Sequence, residues 1–273
     1  MNEEHPYLAK TPDGGLYWGP LTPGRLIKRY KRFLADVLLE DGQVITAHTA
    51  NTGRMLGCSE PGRPVWLSRH DRPGRKHPFS LEMIEMPTAP QWDRTPTLRP
   101  RCPGDSAELG LNSCPTVLVG VNTMVPNRLA AAAAEAGLLM EVAGPATVER
   151  EVTVGHSRLD LRLTDGRARQ IMVEVKNCTL AEEGVAYFPD AVTDRGAKHL
   201  DELAALSRNG IRAAILILVQ RGDADKFSPA DHIDPEWGRR LRSAVAEGVE
   251  IWPYRANLSL ESITLGPALP VAL

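Results

Sequence analysis

Asp160 lies on the run SRLDLRL (157–163), and Glu174 and Lys176 lie on QIMVEVK (170–176). Strict alternation places Leu159, Leu161 and Leu163 on one face of the first run and Asp160 on the other. On the second run Met172, Glu174 and Lys176 share a face, opposite Val173 and Val175. If the two strands are neighbours, the two acids come close together with the lysine beside them. Like-charged carboxylates at close range repel, and a divalent cation between them is what makes such a pair tolerable. Mg²⁺ typically takes one or two carboxylates and completes its sphere with water and phosphate oxygens. A lysine next to it can orient or deprotonate the attacking water, or neutralise charge developing on phosphorus. The competing reading is a solvated strand pair with an ordinary salt bridge. Against it stands the apolar character of the second strand, which should not bury a charge without a partner.

The elements that must position these residues fall in the back half of the chain. NRLAAAAAEAGLL (127–139) predicts an alanine-rich helix with Asn127 as its N-cap. Three strand-like runs follow, at 146–154, 157–163 and 170–176, with Asp165-Gly166 turning between the last two. DRGAKHLDELAALSRNG (194–210) has helical spacing, and AAILILVQ (213–220) reads as a strand buried on both faces. A short helix (235–247) and two further strands complete the order. That order predicts an α/β unit with a mixed sheet over 116–273. The front part, 1–86, carries several short strands with turn punctuation such as Asp41-Gly42, and predicts a small β-barrel. Residues 87–115 hold six prolines and no periodicity, and are read as a long loop or insertion.

The 273-residue chain has a net charge of −2, but the charge is uneven. From Arg25 to Lys76 there are eleven basic and five acidic residues, against eighteen and twenty-three over 101–273. Arg25, Lys28, Arg29, Lys31 and Arg32, with Tyr30 and Phe33 interleaved, suit a flexible nucleic acid through phosphate neutralisation and stacking. The alternative is a charged outer strand face. Asn51 and Arg54 in ANTGRM either contact phosphate or simply form the turn. Arg195, Lys198 and His199 either grip a phosphate near the metal site or form a solvated helix face with Thr193 as N-cap. No stretch is long and apolar enough for a membrane span, and the polar start shows no secretory signal, so a cytoplasmic protein is expected. Cys58, Cys102, Cys114 and Cys178 lack metal-ligand spacing and read as reduced thiols. His48, His77 and His232 likewise lack ligand spacing. No glycine-rich phosphate loop or nucleophile elbow supports nucleotide or serine-type hydrolysis.

The stretches GRLIKRYKRF, AHTANTGRM, VGVNTMVPNRL, SRLDLRL, VEVKNCTL, FPDAVTDRGAKHL and FSPADHIDP together resemble the sugar fermentation stimulation protein A (SfsA) family. The D-x(13)-E-V-K pattern is similar to that of PD-(D/E)xK nucleases. The resemblance implies an α+β protein: an N-terminal OB-like barrel followed by a restriction-endonuclease-like α/β domain with a mixed sheet. It also implies DNA as partner, Mg²⁺ or Mn²⁺ as cofactor, and Asp160, Glu174 and Lys176 in the catalytic positions. Family members often carry a glutamate soon after the NRL stretch. Here the first acid is Glu135, expected as a third metal ligand. A homodimer is compatible with this reading. Three functions stay open: a metal-dependent nuclease, a non-catalytic DNA-binding regulator of sugar-metabolism genes, and a metabolite-binding pocket.

Overall fold

The computed structural model describes residues 8–71, 73–88, 115–154 and 157–273. Most of the proline-rich segment expected as an insertion, with Cys102 and Cys114, lies outside the described residues. Strands β1 (Leu8–Lys10) and β2 (Leu16–Trp18) come first, followed by β3 (Leu21–Tyr30), β4 (Leu34–Leu39), β5 (Val44–His48), β6 (Pro64–Arg69) and β7 (Phe79–Pro87). Strand β8 (Thr116–Gly120) leads into helix α1 (Val125–Glu135). Then come β9 (Thr147–Val154), β10 (Ser157–Thr164), β11 (Gln170–Cys178), β12 (Leu180–Glu182), β13 (Val185–Phe188) and helix α2 (Asp194–Arg208). Strands β14 (Arg212–Val219) and β15 (Lys226–Pro229), helix α3 (Pro235–Ala246), and β16 (Glu250–Leu258) and β17 (Ser262–Ala268) complete the chain.

One sheet has the order β5-β4-β3-β6-β7-β8 and closes through a β5–β7 pairing at His48 and Ser80, giving the barrel. Its interior is filled by Leu26, Val37, Ala47, Val65, Leu67, Leu81 and Ile84. The larger sheet has the order β1-β2-β17-β16-β14-β11-β10-β9 and is mixed, with β11, β14 and β16 parallel. Its continuous apolar strand β14 is covered on both faces, as parallel strands must be. α1 packs on one face with Leu161, Val173 and Leu216. α2 and α3 pack on the other with Met172, Ile215 and Ile217. A small third sheet joins β12, β13 and β15.

The units are drawn differently from the sequence-based boundaries. β1 and β2, expected in the barrel unit, extend the larger sheet through β17, while β8, expected in the α/β unit, completes the barrel. A second difference is local to β10. Its register runs Leu159↔Val152 and then Leu161↔Arg150, with Glu151 at φ +55° between them. Leu161 and Leu163 enter the α1 core, but Leu159 enters the α2 core, so the expected single leucine face is split at Asp160. Among the described residues no helix is long and apolar enough to cross a membrane.

Candidate active site

α1 begins two residues earlier than its alanine run suggests. Pro126 sits in its first turn, where a missing N–H costs nothing. The Met124 N–H is accepted by Asn122 Oδ1 at 2.9 Å. Asn127 is therefore inside the helix rather than its cap, and its Nδ2 donates to Asp160 Oδ1 at 2.7 Å. Ala130 to Ala134 are all buried, and their small side chains let the helix lie close on the sheet. This fixes the helix start, with its positive dipole end, beside the acids.

Asp160 is held from a second side. The β10–β11 ladder ends at Leu161↔Val173. Beyond it the strands part, and the Val175 N–H is taken by Asp160 Oδ2 at 2.8 Å. Burial raises the Asp160 pKa, and the Glu174 charge adds to the rise, against hydrogen bonds from Val175 and Asn127 and the charge of Lys176.

Glu174 is 3% exposed. Its Oε1 accepts from Lys176 Nζ at 2.6 Å and also from His199 Nδ1. A carboxylate oxygen only accepts, so Nδ1 carries the proton. Burial by itself would lift the Glu174 pKa, but the His199 hydrogen bond and the Lys176 charge outweigh it and hold the group below its ordinary range. Glu174 Oε2 is buried and has no hydrogen-bond partner among the described residues.

These groups line one cleft of roughly 360 Å³, together with Asn51, Thr52 and Gly53 of the barrel and Asp190, Thr193 and Arg195. The barrel loop is built into the wall. Met55 N–H donates to Asp190 Oδ2 at 2.8 Å, and Thr123 Oγ1 donates to Ala50 O at 3.1 Å. Gly53 allows this approach, since a Cβ there would sit 2.8 Å from Asp190 Oδ1.

Several expected site residues sit elsewhere or do other work. Glu135 is at the far end of α1, two turns from Asn127, and its carboxylate pairs with Lys10. It is not a cleft residue, because two helical turns carry it about 12 Å along the axis. Arg29 is not free to bind phosphate: its Nη2 donates to the carbonyls of Arg32, Asn51 (2.8 Å) and Gly53 (2.8 Å). It pins the β3–β4 hairpin tip to the cleft wall. Asn51 is buried and turns the loop, its Oδ1 accepting the Gly53 N–H at 2.9 Å. His199 is inside the cleft on Glu174, not on a solvated face. Lys198 is exposed, is not among the residues that line the cleft, and pairs with Glu202 at 3.8 Å. Thr193 does cap α2, accepting the Gly196 N–H.

The remaining basic residues are exposed. Arg25 donates to Gly62 O at 3.2 Å, Lys28 pairs with Asp36 at 3.5 Å, and Arg54 flanks the cleft loop. Lys31 and Arg32 form the hairpin tip with φ of 49° and 65°, a left-handed pair that non-glycine residues adopt at a cost. Phe33 beside them is 45% exposed. Asn127, expected as a helix cap, instead holds Asp160, and His199, expected at a phosphate, instead holds Glu174. Their signals were weak: an amide in the first turn after a proline, and a histidine four residues after Arg195 on one helix face.

The geometry can hold a hard cation on two carboxylates, but among the described residues no three of His, Cys, Asp and Glu are grouped as metal ligands. Residues 27–92 match the family model described as the SfsA N-terminal OB domain, and residues 124–262 match the sugar fermentation stimulation protein RE domain. A sugar fermentation stimulation protein homolog of Pelobacter propionicus is 46% identical over 255 residues, 93% of this chain and 98% of the relative. One from Rhodospirillum centenum is 48% identical over 252 residues, 92% of this chain and 96% of the relative. Among solved structures, SfsA of Pyrococcus furiosus in complex with Ca²⁺ matches with a TM-score of 0.77 at 26% identity, covering 94% of this chain and 98% of that one.

Proposed function

The chain belongs to the SfsA family, with an OB-like barrel followed by a nuclease-like α/β domain, and from that premise we propose that it is a divalent-metal-dependent nuclease acting on DNA. The observation that carries the reading is the buried, unpartnered Glu174 Oε2 in a cleft beside Asp160 and Lys176. A buried acceptor left unpaired is costly unless something occupies it. Asp160 and Glu174 would hold Mg²⁺ or Mn²⁺, and two carboxylates with open positions fit such an ion. The Ca²⁺ in the Pyrococcus furiosus relative, another oxygen-seeking cation, is in keeping with this. When bound, the ion supplies charge neutralisation at the phosphate and a more acidic water.

The protein's own groups do the rest. Glu174 Oε1, itself held by the His199 N–H, fixes the Lys176 ammonium, whose remaining N–H groups are available to water or to charge developing on the phosphate. Arg195 and the α1 start add positive potential at the cleft. Exposed Arg25, Lys28, Lys31, Arg32 and Arg54 bind backbone phosphates, and Phe33 offers a stacking face. Reversing Lys31 and Arg32 to glutamate should reduce the slope of log K against log salt by roughly 0.7 to 0.9 for each phosphate that is no longer neutralised.

A second reading, DNA binding without turnover, draws on Asp160, whose two oxygens already accept from Asn127 and Val175. Gel cleavage of labelled single-stranded, duplex and branched DNA with Mg²⁺ or Mn²⁺ separates the two. Cleavage by the wild type that disappears in Asp160→Asn, Glu174→Gln and Lys176→Ala is the expected result. No cleavage of any substrate hands the protein to the second reading.

A further inference from the structure

Asn177 follows Lys176 on β11 and, by alternation, turns to the opposite face while still lining the cleft. Its Oδ1 accepts from Gln220 Nε2 at 2.7 Å. Gln220 is fully buried just past β14, and its Nε2 also donates to the main-chain carbonyl of Asn122 at 3.3 Å. A carbonyl can only accept, so Gln220 must present its amino group there. Asn177 must then present its oxygen to Gln220, and its Nδ2 is turned away. That nitrogen is buried with no acceptor among the described residues.

The orientation is set deep in the fold. The Gly120 N–H donates to Gln220 O at 2.8 Å, and a Cβ at Gly120 would come within 2.5 Å of Gln220 Oε1. Asn122 is itself anchored, its Nδ2 donating to Glu82 Oε2 at 2.7 Å in the barrel. A continuous path, Glu82–Asn122–Gln220–Asn177, thus runs from the barrel core to the cleft.

We propose that Asn177 is a substrate-binding residue whose Nδ2 donates to a backbone phosphate oxygen, with Gln220 as the positioning residue that keeps the amide turned that way. This rests on the phosphodiester reading above. A neutral donor is apt there, since the cleft must accept an anion beside Asp160 and Glu174 without adding a cation that competes for them. A hydrogen bond of this kind positions the strand and carries no sequence preference.

The test uses the full chain and a fluorescein-labelled single-stranded oligonucleotide, with anisotropy read in Ca²⁺, alongside thermal melts. Asn177→Ala should weaken binding about tenfold, the loss expected for a hydrogen bond to a charged group. Its salt slope should stay that of the wild type, because an amide releases no counterion. The Ca²⁺-induced melting shift should also persist, as both carboxylates remain. Asn177→Ser, which keeps a donor, should recover part of the affinity. Gln220→Met should weaken binding by a smaller factor, since the amide is then free to turn. Wild-type affinity in Asn177→Ala overturns the proposal, and a lowered melting temperature with unchanged affinity shows the amide to be purely structural. If the wild type binds no oligonucleotide while its Ca²⁺ shift remains, the phosphodiester reading itself fails and takes the proposal with it.

Discussion

Two glutamates lie at nearly the same depth, Glu82 at 4% and Glu174 at 3% exposed, one in the barrel and one in the cleft. In the barrel, each Glu82 oxygen accepts from a neutral donor: Ser68 Oγ at 2.6 Å and Asn122 Nδ2 at 2.7 Å. Neither of those hydrogen bonds brings a full positive charge, and burial raises the Glu82 pKa above the ordinary value. In the cleft, Glu174 crowds Lys176 and His199 onto one oxygen and leaves the other bare. Depth is therefore not what marks a site. The mark is how the acceptor capacity is used: both oxygens on neutral donors in the barrel, one oxygen crowded by Lys176 and His199 in the cleft.

The largest expected effect sharpens that contrast through stability. Glu82→Ala takes the Asn122 amide's carboxylate partner away, leaves the Ser68 hydroxyl with only the His70 ring, and opens a cavity, so it should cost about 3 kcal/mol or more. Glu174→Ala, measured in EDTA, should cost less. Repulsion with Asp160 disappears, and Lys176, at 14% side-chain exposure, can turn toward water. Urea denaturation of both variants orders the two losses. A larger loss at Glu174 would make it a structural acid and break the comparison.

A smaller effect separates the two acids by their response to metal. Lys176→Met removes a positive charge that competes with the cation at Glu174. At the cleft's partial burial that repulsion is on the order of 1 kcal/mol, so apparent Mg²⁺ affinity should rise about fivefold while cleavage falls. Ser68→Ala, the matching change at Glu82, should leave the Mg²⁺ response untouched. A titration of melting temperature against Mg²⁺ reads both. Weaker Mg²⁺ binding in Lys176→Met would mean the lysine builds the ion site rather than flanking it.

The same pair explains how far the sequence could be read. Glu174 in QIMVEVK stands out as an acid inside an apolar strand, and Glu82 in FSLEMIEM has that same pattern. Periodicity marks such strands but not the donors that meet the acid, because Ser68 lies 14 residues and Asn122 40 residues from Glu82. The barrel, the mixed sheet, the buried parallel β14 and the Thr193 cap were legible because they follow from local pattern. Arg29 is hard to place for the opposite reason: its basic neighbours suggest a role on phosphate, while its partners are carbonyls of a loop more than 20 residues on. Glu135 was expected at the ion because it is the first acid after NRL. Helix geometry carries it to Lys10 instead and brings Asn127 to Asp160.

The smallest expected effect is in pH. Glu82 has a raised pKa in the folded protein, so folding takes up its proton. Its contribution is fully present below the ordinary value of 4.5 and is lost as pH climbs through the higher folded value. Glu174 has a depressed folded pKa, so its contribution is present above 4.5 and is lost as pH falls through the lower folded value. The two windows lie on opposite sides of 4.5. In EDTA, the stability of Glu82→Gln relative to wild type should therefore improve as pH rises above that point, because only the wild type must then bury a charge. Glu174→Gln relative to wild type should worsen as pH rises toward 4.5 from below, because only the wild type then gains the charged pairing with Lys176 and His199. Asp160, whose pKa is raised by burial and by Glu174, should behave like Glu82 in Asp160→Asn. Each difference is bounded by the ~1.4 kcal/mol per pH unit that one proton allows. Melting curves of the wild type and the three variants across this range measure it. Difference curves of the same sign for Glu82→Gln and Glu174→Gln would erase the distinction between a satisfied acid and a poised one.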